Sequence, residues 1–297
     1  MRALRHAGYN NLLSNRRRTP DLFNEKEVND YLAFEEPQVI VVTAGLVGGI
    51  LANSERPVDF LVDNLKIALN VIQGAGKAHS VQKLLYLGSS CIYPRQARQP
   101  MKPEDLLSGH LEPTNEGYAL SKIVGIRLCQ YYQRQHKRNF IAAMPCNLYG
   151  PGDTYDPHKS HVIPALIYKF DQAKRKGHKS VTCLGDGTAQ REFLYVDDLA
   201  NAVVLLLQVY NGSEIVNIGS GEPLKIGFVA QKIKETVGYE GDILYTGDTN
   251  GMPVKVMDST LINSMGWGRT VHLQMGLQLA YANYLERYMV QTEDRLD

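Results

Sequence analysis

A chain of 297 residues, 44% of them hydrophobic, is long enough for one large α/β domain with an appended lobe, or for two unequal domains. Thirty-two Lys and Arg against thirty-one Asp and Glu leave a net charge of +1, too little to gather nucleic acid or an anionic membrane surface, so the expected partner is a small molecule. No apolar run approaches the roughly 18 residues of a membrane span, and Met1 leads into Arg2, Arg5 and His6 rather than the apolar segment of a secretory signal, so the expected location is the cytoplasm.

Residues 2–7 read as the tail of a helix and 9–13 as a strand. Residues 39–43 (VIVVT) form a buried strand and 63–78 a helix. A second buried strand, 83–87 (KLLYL), runs straight into Gly88-Ser89-Ser90-Cys91. Apolar residues repeat at helical spacing over 115–136, and 140–144 is a strand stopped by Pro145. Continuous apolar runs alternating with amphipathic stretches predict a parallel sheet covered by helices on both faces. From Pro151 onward the segments shorten and Gly, Pro and His become more frequent. Strands are expected there at 181–184 and 243–245, while 193–207 reads as a return to the first unit.

The expected fold is therefore α/β. A Rossmann-like, doubly wound parallel sheet occupies residues 1–150 with the return segment, and the remainder of 151–297 forms a smaller α/β substrate lobe. One part of that pattern is missing, because a dinucleotide fold opens with a strand leading into a glycine-rich turn at a helix N-terminus. Here Gly8 is the only glycine before Gly45, so the first βα unit and its pyrophosphate cradle are not encoded.

Tyr118 and Lys122 form a Tyr-x-x-x-Lys pair on the helical segment, one turn apart on one face. A phenol with a pKa near 10 must fall by about 3 units to act at neutrality, roughly 4 kcal/mol. A cation about 4 Å away contributes about that much at an effective dielectric of about 20. Taken alone, such a pair also arises by chance on helix surfaces. Ser89 lies just past the carboxyl end of a strand, where open parallel sheets bind ligands, although a turn or capping role suits a serine equally well. Arg16, Arg17 and Arg18 suit the 2′-phosphate of NADP(H) or, equally, a solvated surface. The four cysteines, Cys91, Cys129, Cys146 and Cys183, contain no CxxC pair, which argues against both a zinc site and a disulfide framework.

The chain resembles the extended short-chain dehydrogenase/reductases, and within them the GDP-L-fucose synthase branch. The resemblance rests on Ala44-Gly45-Leu46-Val47-Gly48-Gly49, Ser89-Ser90-Cys91-Ile92-Tyr93-Pro94, Glu112-Pro113-Thr114-Asn115-Glu116, Tyr118 with Lys122, Asn147-Leu148-Tyr149-Gly150-Pro151, Ser160-His161-Val162-Ile163-Pro164 and Arg191-Glu192-Phe193. It implies 3,5-epimerisation of a GDP-4-keto-6-deoxy-mannose followed by NADPH-dependent reduction at C4. By similarity Cys91 and His161 exchange the protons, and Ser89, Tyr118 and Lys122 serve the reduction. Asn147, Arg191 and Lys255 hold the GDP-sugar. Ala44, Gly45, Leu46, Tyr118, Lys122, His161 and the arginines Arg16 and Arg18 meet the cofactor. A homodimer through the 115–136 helix and its predecessor is implied as well. Without the glycine-rich turn, three expectations stand: a shortened form of a working enzyme, which is favoured; a variant with weak cofactor affinity; or a non-catalytic GDP-sugar-binding module. Another nucleotide-sugar epimerase is the alternative activity.

Overall fold

A computed structural model describes residues 1–13, 19–156, 160–247 and 252–293. The chain opens with α1 (Arg2–His6), followed by Gly8 at φ 88°. Helix α2 (Glu25–Glu35) starts at Asn24, whose side chain accepts the N–H groups of Lys26 and Glu27, the capping role asparagine favours. Next come β1 (Val39–Val42), the short α3 (Ile50–Glu55) and α4 (Pro57–Lys77), which carries proline where a helix needs no N–H. Then follow β2 (Lys83–Leu87), α5 (Glu116–His136), β3 (Asn139–Pro145) and β4 (Asn147–Tyr149). The second half contributes α6 (Val162–Lys176), β5 (Ser180–Cys183), β6 (Gln190–Tyr195), α7 (Val196–Val209), β7 (Val216–Ile218) and β8 (Pro223–Lys225). It ends with α8 (Ile226–Val237), β9 (Asp242–Tyr245), β10 (Val254–Lys255), α9 (Thr260–Ser264) and α10 (Leu273–Glu293).

Strands β1, β2, β3 and β7 form a parallel sheet in that order. Side chains alternate across a strand, and β2 displays both faces. Tyr86 meets Gly125 of α5 on one side, and Lys83 reaches the carbonyls of Leu206 and Leu207 at the end of α7 on the other. Helices therefore flank the sheet on both faces, as the alternating pattern predicts. A second sheet runs β10–β6–β4, with β8 antiparallel to β6, and β5 pairs with β9.

The strand expected over 9–13 is not formed. Tyr9 N–H instead closes the end of α1 on the carbonyl of Leu4, Tyr9 and Leu13 are exposed, and among the described residues β1 pairs only with β2. A short apolar run with no ladder partner has nothing to hold it extended. Among the described residues no helix is long and apolar enough to cross a membrane.

Two apolar clusters hold the molecule together. One joins the β1–β2–β3–β7 sheet to α4, α5 and α7, and also recruits Met252, Met257, Ile262 and Trp267. The other gathers α6, α8 and α10 around Phe193 and Tyr195. The chain thus comes back to the first cluster through α7 and again over 252–267, which periodicity did not reveal.

Asp198 fastens that second return. Its buried carboxylate accepts the N–H groups of Thr270 and Val271 at 3.0 Å and the Thr270 hydroxyl at 2.6 Å, and its backbone carbonyl accepts Trp267 Nε1. Removing the acceptor strands buried donors, so Asp198→Ala is expected to lower stability by about 3 kcal/mol, and Asp198→Asn by roughly half as much. Urea denaturation of the three proteins checks this.

Candidate active site

The site lies past the carboxyl ends of β1 and β2, the usual ligand position of an open parallel sheet. Ser89 follows β2 in extended conformation, and its hydroxyl accepts the Cys91 N–H at 3.3 Å, capping a single turn over Ser90–Ile92. Tyr118 stands in the first turn of α5 and shares a hydrogen bond with Ser89. One turn on, Lys122 Nζ donates to the carbonyl of Leu87 at 3.1 Å and lies 5.7 Å from the Tyr118 ring centroid. The structure thus brings Ser89, Tyr118 and Lys122 together.

Their electrostatics differ from the sequence expectation. Burial drives the Tyr118 phenol well above its ordinary pKa, the neighbouring Cys91 adds to this, and only the Ser89 hydrogen bond opposes it. Burial also lowers Lys122 to about 8. The ammonium donates to Leu87 and faces two rings, and its charge does not outweigh the burial of the phenol. Desolvation is the larger effect here.

Cys91 sits beside this trio. Its sulfur accepts Asn115 Nδ2 at 3.3 Å and Lys255 Nζ at 3.5 Å. Lys255 and Arg191 are direct register partners on β10 and β6, which sets two cations side by side. Arg191 is turned so that Nη1 donates to the carbonyl of Gln190, while Cys91 and Glu112 both support its charge against burial. His161 is the residue before α6. Its pKa is lowered chiefly by the surrounding protein and further by Lys255, while Asp153 raises it. The side chain keeps an exposed edge, which tempers the burial effect but not its direction. Asn147 directs its amide to the carbonyl of Glu192 at 3.0 Å, within the β4–β6 pair.

The loop holding Ala44, Gly45 and Leu46 is tied to α4 by Asn64, whose side chain accepts the Leu46 N–H and donates to the Leu46 carbonyl, each at 3.0 Å. A Cβ on residue 45 would lie 2.8 Å from Asn64 Oδ1 and 3.5 Å from Lys122 Nζ, so a side chain there would displace the Asn64 amide that holds the loop. Arg16 and Arg18 lie outside the described residues. Asn115, Asn64 and Asp153 were not picked out from the sequence. Asn115 falls within the Glu-Pro-Thr-Asn-Glu block just before Tyr118, and that proximity was the available signal.

A family model described as the NAD dependent epimerase/dehydratase family matches residues 2–219. A protein named "Probable GDP-L-fucose synthase 1" from Oryza sativa subsp. japonica is 47% identical over 287 residues, covering 96% of this chain and 88% of its own. Among solved structures, a GDP-6-OMe-4-keto-L-xylo-heptose reductase from Campylobacter jejuni superposes with a TM-score of 0.89 at 30% identity, covering 96% of this chain and 93% of that one. A GDP-mannoheptose C4 reductase from the same organism, with NADP bound, gives a TM-score of 0.86 at 32% identity, with 96% and 93% covered. With a parallel sheet that ends in a Ser-Tyr-Lys cluster, this chain belongs to the NAD dependent epimerase/dehydratase family, on its GDP-L-fucose synthase branch.

Proposed function

We propose that the protein converts GDP-4-keto-6-deoxy-D-mannose to GDP-L-fucose, epimerising C3 and C5 and then reducing C4 with NADPH. The observation that carries this reading is the adjacency of two kinds of proton-handling group. Cys91 lies within the influence of Tyr118 and next to Lys255, and Lys255 acts in turn on His161. Relatives named GDP-L-fucose synthase and a neighbour solved with NADP support the substrate and cofactor.

The nicotinamide half of the site fits the cofactor. Gly45 leaves the backbone open beside Lys122, and among the described residues no carboxylate pairs with that ammonium, which leaves it available to ribose hydroxyls. Bound there, NADPH supplies the hydride for C4. The chain's own residues do the rest. Ser89 donates to the C4 carbonyl oxygen, and Tyr118 gives its proton to the resulting alkoxide. Burial suits that task, because it keeps the phenol protonated, the form a reduction consumes. Lys122 favours the phenolate left behind.

For epimerisation, the C4 ketone acidifies the hydrogens at C3 and C5. Cys91 and His161 act as the acid/base pair, one removing a proton and the other returning one to the opposite face. A lowered imidazole pKa keeps His161 neutral at pH 7 and able to accept a proton. Arg191 and Lys255 meet the diphosphate, Arg191 through its planar fork, and Asn147 borders the sugar. The protein is further proposed to work in the cytoplasm, where its four free thiols stay reduced. A homodimer is proposed through α4 and α5, whose outer surface exposes Val58, Leu120, Val124 and Tyr131.

NADPH oxidation with GDP-4-keto-6-deoxy-D-mannose tests the whole reading; GDP-sugar binding without NADPH consumption would reduce the protein to a binding module. Tyr118→Phe is expected to slow reduction about 10²- to 10⁴-fold with GDP-sugar affinity retained, and reduction at the wild-type rate would remove Tyr118 from its role. Cys91→Ser should depress deuterium wash-in at C3 and C5 on a similar scale. In the wild type the acid limb of that exchange should fall below the ordinary imidazole value near 6.5. Asp153→Asn should move it lower still, since Asp153 favours the imidazolium; an unmoved limb would exclude His161 as the titrating group. Light scattering after size exclusion should show a dimer that Val124→Glu converts to monomer.

A further inference from the structure

Lys122 is 4% exposed, and its ammonium has no carboxylate partner among the described residues. A buried cation without a counter-ion must be compensated by other groups, and three surround this one. The Leu87 carbonyl accepts at 3.1 Å, and the rings of Tyr118 and Tyr86 lie with centroids 5.7 and 5.0 Å from Nζ. Both rings are within cation–π range, and Tyr86 is the nearer.

The Tyr86 ring is held there by shape. Tyr86 is 1% exposed on β2, and its ring fills a notch on α5 at Gly125. A Cβ there would come within 2.5 Å of Tyr86 Cζ and 2.7 Å of its hydroxyl. Gly125 follows Lys122 by three residues, so notch and ammonium share one helix face. We propose that Tyr86 is a positioning residue, its ring forming with Tyr118 an aromatic slot that keeps the Lys122 ammonium charged and aimed at the reaction centre. This rests on the role given to Lys122 above.

The titratable groups around the slot are few. Tyr118 lies on the same helix as Lys122, Tyr86 comes from β2 with Cys129 beside it, and Cys91 neighbours Tyr118. The β1 loop and α4 contribute Gly45 and Asn64, neither of which titrates. Burial depresses the lysine to about 8. A ring face favours the charged form, so weakening the ring must lower the midpoint further.

The test replaces Tyr86 with phenylalanine and then with mono-, di- and trifluorophenylalanine, a nearly isosteric series that keeps the fold while draining charge from the ring face. Lys122 is titrated by carbon-13 NMR of lysine-labelled protein, its signal assigned by loss in Lys122→Met, so neither cofactor nor turnover is needed. Phenylalanine should leave the midpoint near its wild-type value, and trifluorination should lower it by about half to one pH unit, with the alkaline limb of ketone reduction following. A midpoint that does not respond to fluorination overturns the slot. If it responds but Tyr118→Phe still reduces normally, the slot stands and the reading of the reaction fails.

Discussion

An ammonium taken out of water without a carboxylate survives only where neutral groups replace its hydration, and Lys122 makes that demand at the centre of this protein. Meeting it fixes the distance between α5 and the end of β2, because the accepting carbonyl belongs to Leu87 and the nearer ring to Tyr86. Every group proposed for reduction is measured from that contact. Ser89 lies two residues beyond Leu87, Tyr118 one helical turn before Lys122, and Gly45 of the β1 loop lies beside the same ammonium. A sheet and a helix that met even slightly differently would separate the hydroxyl, the phenol and the amine.

The other half of the site is referred to a buried anion. Glu192 on β6 is fully buried; burial raises its carboxyl pKa, and the N–H groups of Gly221 and Met257, each at 2.8 Å, oppose that rise. These bonds tie β6 to the segments leading into β8 and out of β10. The register pairing Arg191 with Lys255 follows, and through it the Lys255 ammonium reaches the sulfur of Cys91. A carboxylate bonded to backbone groups suits this position, since it orders chain segments without drawing on the cations proposed to meet the diphosphate.

The parallel strands were legible because such strands are written as unbroken apolar runs, as in VIVV, buried only at Val42, and KLLYL, buried from Lys83 to Tyr86. Tyr9 to Leu13 shows the limit of that signal, since an apolar run becomes a strand only with a neighbour to pair with. The Ser89, Tyr118 and Lys122 grouping could be anticipated from helical spacing and a strand end. The direction of the phenol's shift could not, because the degree of burial depends on what packs above it. Cys91 and His161 were found through resemblance alone; their approach to Lys255 depends on a strand pairing between segments more than 60 residues apart. Asn115 lies in the block just before Tyr118, but its 3.3 Å contact with Cys91 is visible only in the structure.

The loop after β1 carries a last consequence of this arrangement. Among the described residues β1 pairs on one side only, with β2, and Val39 is 42% exposed. A strand held along one edge would ordinarily be a poor anchor for a loop that must keep a backbone within a few ångströms of a lysine. The loop is instead fixed from the helices, by Asn64 on the N–H and carbonyl of Leu46 and by Asn53, whose amide donates to the carbonyls of Gly48 and Gly49 at 2.9 and 3.0 Å. Both asparagines are buried on elements that pack against α5 or the turn preceding it. The geometry around Gly45 is thus set by α3 and α4, which pack against the helix that carries Lys122 and the turn before it.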